Sequence, residues 1–144
     1  MAHEVRITRN LAAAPDEVYD AWTDPKSVME WMIPMPGGRT RATLEARVGG
    51  RFQIDMMSEG KTYPHEGEYL RLERPRLIEF TWISQATGRQ RSVVRVELRP
   101  IAGGGTELSL THLELPSEQA AQEHHGGWSA ALDRLGEVLS TAGR

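Results

Sequence analysis

SEQAAQEHHGGWSAALDRLGEVLST, residues 117–141, reads as one long helix. Its apolar or semi-polar positions are Ala121, His125, Trp128, Leu132, Leu135 and Leu139, at steps of 4, 3, 4, 3 and 4. That is the period of a single helix face. Pro116 precedes the stretch, Ser117 is placed to cap its first turn, and Glu118 suits the positive end of the helix dipole. Gly143 stands just beyond, where a C-terminal stop is expected. At about 1.5 Å per residue the helix measures roughly 37 Å, the width of a small domain. The face Trp128–Leu132–Leu135–Leu139 must leave water, so the preceding chain has to wrap it. The gap between helix and wrapping is the place to look for function.

The wrapping is legible as strands. Glu4 to Leu11 alternates, with Val5, Ile7 and Arg9 on one side. Ala14-Pro15-Asp16-Glu17 opens a short helix with Val18, Ala21 and Trp22 on its buried face. Asp24-Pro25 stops it and starts a second, carrying Val28, Met29, Trp31 and Met32. Ile33 to Arg39 holds two prolines and two glycines and reads as a loop. Thr40 to Val48 and Arg51 to Ser58 form a hairpin turning at Gly49-Gly50, with Phe52, Ile54 and Met56 on one face. Thr62 to Glu73 contains Pro64 and Gly67, which predict an edge, a bulge or a bend there. Leu77 to Ser84 sets Ile78, Phe80 and Trp82 on one face and Glu79 and Thr81 on the other. Ser92 to Arg99 places Val94, Val96 and Leu98 inward; Thr106 to Leu113 does the same with Leu108, Leu110 and His112. Short turns between strands make them antiparallel neighbours, and alternation leaves one face of the sheet wet. The prediction is an α+β fold: a curved antiparallel sheet of six to seven strands around a long C-terminal helix, with two short helices after the first strand.

Length and composition narrow the function. A chain of 144 residues fits one domain, 1–144, with one core. No apolar run approaches the roughly 18 residues a membrane span needs, and the N-terminus lacks the apolar segment of a signal peptide. There is no cysteine, which excludes disulfides, thiolate nucleophiles and cysteine metal sites. A cytoplasmic location is the expectation. The net charge of −3 is spread without blocks, which argues against nucleic-acid binding. Arginine outnumbers lysine fifteen to two, a bias that reads as codon habit.

Ala14 to Pro25, Trp31 to Pro34, Arg47 to Phe52, Gly67 to Trp82, Gly104 to Leu108, and Gly127-Trp128 with Leu132, Leu135 and Leu139 behind form a pattern. Together these stretches resemble the activator of Hsp90 ATPase homologue 1-like family of the START-like (SRPBCC) superfamily, which has the helix-grip fold. The resemblance spans essentially the whole chain in order. It implies a cavity between sheet and long helix for small hydrophobic or amphipathic molecules. It does not imply one activity: the superfamily includes lipid carriers, hormone receptors, aromatic cyclases and a co-chaperone domain that stimulates the Hsp90 ATPase. Many relatives have Asp two residues before the arginine of the Arg-x-Gly-Gly turn; here it is Glu45, which keeps the charge.

The candidate ligand-binding residues are Trp31, Met32, Met56, His65, Tyr69, Phe80, Trp82, His112, His125, Trp128 and Leu132. His125 lies on the predicted core-facing stripe, and His124 about 100° away from it. Sufficient curl in the sheet would bring His65, His112 and His125 together. Three histidines can bind zinc, but the spacing carries no metal motif, so neither metal nor cofactor is predicted. Tyr69 and Tyr63 can present a hydroxyl as donor or acid. Trp22, Trp31, Trp82 and Trp128 are core or cavity wall. Met29, Met32, Met35, Met56 and Met57 suit walls that adapt to ligands. Gly126-Gly127 inside the helix costs about 1 kcal/mol per residue against alanine, which predicts a close approach by the sheet or room beside Trp128. Gly103-Gly104-Gly105 has no helix after it and is a turn, not a phosphate loop.

No Ser/His/Asp order, paired carboxylates or dinucleotide fingerprint stands in a suitable setting, so no catalytic residue is assigned. The leading expectation is a protein that binds a small hydrophobic or aromatic ligand, with no nucleic acid and no membrane insertion. The alternative is a cyclase or hydrolase type of enzyme using His or Tyr as acid and base in the same cavity. A protein-partner module comes last, because it needs an exposed apolar patch and the outer strand faces are charged. A homodimer through an edge strand or the helix is compatible with the sequence.

Overall fold

The structure is a computed structural model and describes residues 3–33 and 37–142. The order is β1 (His3–Leu11), α1 (Pro15–Thr23), α2 (Pro25–Trp31), β2 (Arg39–Leu44), β3 (Arg51–Ser58), β4 (Lys61–Glu73), β5 (Leu77–Ser84), β6 (Ser92–Pro100), β7 (Thr106–Leu115) and α3 (Glu118–Ala142). The strands form one antiparallel sheet ordered β1-β7-β6-β5-β4-β3-β2. Six strands follow one another as neighbours, and the helical pair carries the chain from β1 at one edge to β2 at the other. Among the described residues no helix is long and apolar enough to cross a membrane. Residues 34–36 of the expected loop 33–39, Met35 among them, and Gly143 lie outside the described residues.

The alternation read from the sequence sets the inner face. Ile78, Phe80 and Trp82 of β5, Val94, Val96 and Leu98 of β6, and Leu108, Leu110 and His112 of β7 are all buried. They meet Trp128, Ala131, Leu132, Leu135 and Leu139 of α3, so helix and sheet share one core. Each fully buried Leu contributes about 1.5–3 kcal/mol. Ser117 caps α3 as expected, its Oγ accepting from the Ala120 N–H at 3.1 Å. Arg9, on the inward side of β1, reaches Asp133 of α3 at 3.0 Å. Buried side chains tie down the helical pair: the Trp31 indole donates to the Ala21 carbonyl (3.0 Å) and Thr40 Oγ1 to the Met32 carbonyl (2.6 Å). Thr106 Oγ1 donates to the Ala13 carbonyl at 2.7 Å.

Three expectations need correction. First, Gly49-Gly50 is not a tight turn. β2 stops at Leu44, and residues 45–50 fold on themselves, Arg47 N–H to the Glu45 carbonyl (2.7 Å) and Gly50 N–H to the Arg47 carbonyl (2.8 Å). A Cβ on Gly50 would stand 2.0 Å from the Glu45 oxygen, so only glycine closes this loop. Second, β4 is interior over most of its length, and the expected edge is a local one at Pro64. Pro64 is tolerated because β5 ends at Ser84, opposite His65, leaving β4 only β3 as neighbour at Pro64. The register shift falls between Tyr69 and Arg71; Gly67 is needed instead for close packing, since its Cβ would stand 2.0 Å from the Thr81 oxygen and 2.4 Å from Phe52 Cζ. Third, β5 is covered on both faces. Glu79 and Thr81 are buried: Arg95 Nε lies 2.8 Å from the Glu79 carboxylate, and Thr81 Oγ1 accepts from the Glu68 N–H at 2.8 Å.

The core makes the first prediction. Leu135 is wholly buried under the sheet. Leu135→Ala costs about 3 kcal/mol, read as a lowered urea midpoint at unchanged slope. Gly67→Ala is expected to be worse still, giving little folded protein. An L135A loss below about 1 kcal/mol would mean that α3 does not sit where it is placed.

Candidate functional site

The interior between α3 and the sheet is filled unequally. Trp22, Val28, Leu44, Phe52, Ile54, Tyr69 and Phe80 crowd one end and leave a void of about 10 Å³. The rings interlock: Trp22 and Trp31 meet edge-on at 4.7 Å and Phe52 and Phe80 at 5.4 Å. Toward the N-terminal half of α3 the filling stops. A cavity of about 150 Å³ opens there, walled by Met32, Ile33, Met56, Trp82, Trp128 and Ala131 and by the imidazoles of His65 and His124. Ala86, on the 3₁₀ turn Gln85–Thr87, and Glu123 and Gly127 of α3 complete the lining; all three are solvent-exposed and form the mouth. No Cβ-sized neighbour lies within 4 Å of Gly126 or Gly127. The sheet therefore approaches neither glycine, and Gly127 leaves room beside Trp128 at the cavity.

A relay of hydrogen bonds sits behind the cavity. The Trp128 indole N–H donates to His112 Nδ1 at 3.0 Å. Indole only donates, so Nδ1 must be the acceptor and Nε2 carries the proton. Nε2 meets Ser92 Oγ at 2.7 Å, and Ser92 donates onward to the Trp82 carbonyl at 2.6 Å. His112 is thus fixed as one neutral tautomer. Burial pushes its pKa down from 6.5 to about 3, with the neighbouring His124 adding to the fall. His124 packs edge-on against it, ring centroids 4.7 Å apart, and donates Nδ1–H to the Ala120 carbonyl at 2.7 Å. His65 lies on Trp82 at 4.9 Å, with Nδ1 3.3 Å from the Ile54 carbonyl. Burial lowers the pKa of both, opposed in each case by the backbone carbonyls they meet. Among the described residues the Nε2 of His124 has no hydrogen-bond partner, whereas His65 meets a second backbone carbonyl, that of Tyr63. Nor do three His, Asp or Glu side chains of the described residues gather as a metal site.

The sequence candidates divide by place. Met32, Met56, His65, Trp82 and Trp128 line the cavity. Tyr69 and Phe80 line the small inner void, and burial raises the Tyr69 pKa, which keeps its hydroxyl protonated. Trp31 and Leu132 are core, and His112 stands behind the wall. Tyr63 is exposed. His125 is the correction: it faces solvent, and His124 is the buried one. At about 100° per residue His124 lies about 40° to one side of Trp128 and His125 about 60° to the other. The buried face also includes Ala120 and Ala131, which centre it on the His124 side. Those two small residues signal the phase of the helix; the steps of 3 and 4 alone do not. Glu123, Ala86, Ala131 and Ile33 were missed, and no sequence pattern marks them.

A seven-stranded antiparallel sheet gripping a long C-terminal helix, with a hollow between them, is now in view. Residues 12–140 match the family described as Activator of Hsp90 ATPase homolog 1-like protein. The chain belongs to that family. Solved structures agree. Protein CV1439 from Chromobacterium violaceum is 25% identical with a TM-score of 0.83, over 94% of this chain and 96% of that one. CalU16 from Micromonospora echinospora is 32% identical with a TM-score of 0.73, over 96% and 77%. Protein NE0264 from Nitrosomonas europaea, 22% identical at a TM-score of 0.81 over 96% and 95%, shares the fold. No curated protein matches significantly. Membership in the Activator of Hsp90 ATPase homolog 1-like family brings a fold commonly used to bind ligands and leaves the ligand to be argued from the cavity.

The relay has a pH signature. The unfolded chain protonates its histidines near 6.5, whereas the folded chain holds His112 neutral down to about 3. Between those values the unfolded state binds more protons, so acid favours unfolding. The contribution is whole above about pH 6.5 and is lost progressively below it, by about 1.4 kcal/mol per pH unit for each group at most. His65 and His124 act in the same sense. Urea midpoints should therefore fall from pH 7.5 to 5.5, above the carboxylate range. His112→Asn should be less stable at pH 7.5 yet fall less steeply; an equal slope in the variant would refute the fixed tautomer.

Proposed function

We propose that this chain binds a small hydrophobic or amphipathic molecule in the cavity between α3, the 3₁₀ turn and the sheet. One observation carries the reading. Two indoles, two methionines and two imidazoles converge on an open hollow at the place where α3 exchanges a side chain for Gly127. Its apolar wall with a few polar groups is the general form of a small-molecule site. A volume of about 150 Å³ suits a single aromatic ring. Residues 1–144 are taken as the single domain that does this.

A second reading has one specific observation behind it. His65 and His124 are neutral near pH 7 and line the cavity, so either can act as a general base on a bound molecule. A partner module has less support. Among the described residues Val48 and Tyr63 are the large apolar side chains left exposed, and outer-face residues such as Glu79 and Arg95 form ion pairs.

Gly126 and Gly127 separate binding from folding. Gly126→Ala adds helix propensity at a position outside the cavity and should raise stability by up to about 1 kcal/mol without affecting ligand. Gly127→Leu gains similarly but fills the mouth. Native mass spectrometry of the purified chain should show a bound small molecule in wild type and G126A and lose it in G127L. Toluene should raise the melting temperature in the same two proteins only. Binding retained in G127L would sink the reading.

A further inference from the structure

Resting on the binding reading above, we propose that the occupant is a neutral single-ring molecule carrying a hydrogen-bond donor, a phenol, whose O–H is accepted by the Nε2 of His124 or His65. The polar character of the wall leads there. The His124 imidazole already spends Nδ1–H on the Ala120 carbonyl, and the His65 imidazole meets the backbone carbonyls of Ile54 and Tyr63. A neutral imidazole has one donor and one acceptor, so what each retains is a lone pair. The third polar side chain of the lining, Glu123 at the mouth, is an acceptor as well. Donors are spent or hidden: the Trp128 N–H is held by His112, and the Trp82 N–H is buried without a partner. Among the described residues no Lys or Arg lines the cavity.

The wall therefore asks for a proton and offers none. A carboxylate or phosphate entering it would be desolvated with no positive partner, past the charge of Glu123. A plain hydrocarbon would leave the imidazole lone pairs without the water they held. A phenol places its ring between Trp82, Trp128 and the methionines and its hydroxyl on an imidazole. The volume, about 150 Å³, matches one aromatic ring.

Isothermal titration of the full chain with phenol, toluene and benzoate tests this. Phenol should bind about threefold to tenfold more tightly than toluene, the worth of one hydrogen bond against a more hydrophobic competitor, and benzoate should not bind. In His65→Phe/His124→Phe, phenol should lose that advantage while toluene still binds, which shows the variant folded. Equal binding of phenol and toluene by the wild-type chain, or tighter binding of benzoate, overturns the phenol assignment and leaves the cavity a binding site. Failure of all three probes overturns both.

Discussion

The hydrogen bond from the Trp128 indole to His112 Nδ1 fixes where the helix lies on the sheet. Leucines alone cannot: Leu132, Leu135 and Leu139 would bury about as well with the helix rotated by a few tens of degrees, because apolar burial has no direction. An indole N–H buried without an acceptor costs about 1–3 kcal/mol, so the rotation that keeps His112 in reach is selected. That choice has a chain of consequences. It makes His112 an acceptor, which puts its proton on Nε2 and recruits Ser92, which in turn holds the carbonyl of Trp82. Trp82 and Trp128 then stand 5.2 Å apart as two walls of the cavity. The relay is also why the site is apolar: it uses up the polar capacity of His112 before the cavity is reached.

The architecture was legible in the sequence because it depends on period. The twofold alternation of Ile78, Phe80 and Trp82, and the spacing from Trp128 to Leu139, each bury one face and name the element. The site was legible only in part, since it depends on phase and on volume. Phase is the case of the two adjacent histidines. His125 fits the 4-3-4 pattern as well as His124 does, and the tie is broken by Ala120 and Ala131, too weakly hydrophobic to stand out in sequence. Volume is the case of the aromatic rings. Phe80, Tyr69 and Trp82 all point inward, yet only Trp82 meets open space, because the rings of Trp22, Trp31 and Phe52 fill the other end. Which inward residues pack and which line a hollow is decided by how side chains share volume across four or five elements. No one-dimensional pattern encodes that sum.

The glycines show the same division. Gly50 and Gly67 answer a steric demand of the backbone, with carbonyl oxygens 2.0 Å from where a Cβ would be. Gly126 and Gly127 answer none; the space around them is open. In a helix interior each costs about as much as a lost exposed hydrogen bond, with no packing to offset it. At Gly127, which borders the cavity, a cost of that kind without a structural return fits the proposed binding role; Gly126 lies outside the lining and has no such explanation. The two sorts of glycine are indistinguishable in sequence, since both break a regular pattern, and they separate only when a side chain is built and found either to collide or to meet nothing.

The mouth of the cavity lies where substitutions are least coupled to stability. Ala86, Glu123 and Gly127 are exposed, and none holds up the sheet. The groups that fix the fold, the Trp128–His112 bond, the leucine face of α3 and the closure at Gly67, lie behind or beyond the wall. A chain built this way can vary the rim of its cavity while the grip of sheet on helix is untouched. Similarity at about a quarter identity, as with the Chromobacterium violaceum protein, transmits the fold and does not by itself fix the chemistry of a site. On the binding reading proposed above, the selectivity would follow from this chain's own combination of two imidazoles, an acidic residue at the mouth and, among the described residues, a wall without cations, and it would act through the sense of the hydrogen bond a ligand can make.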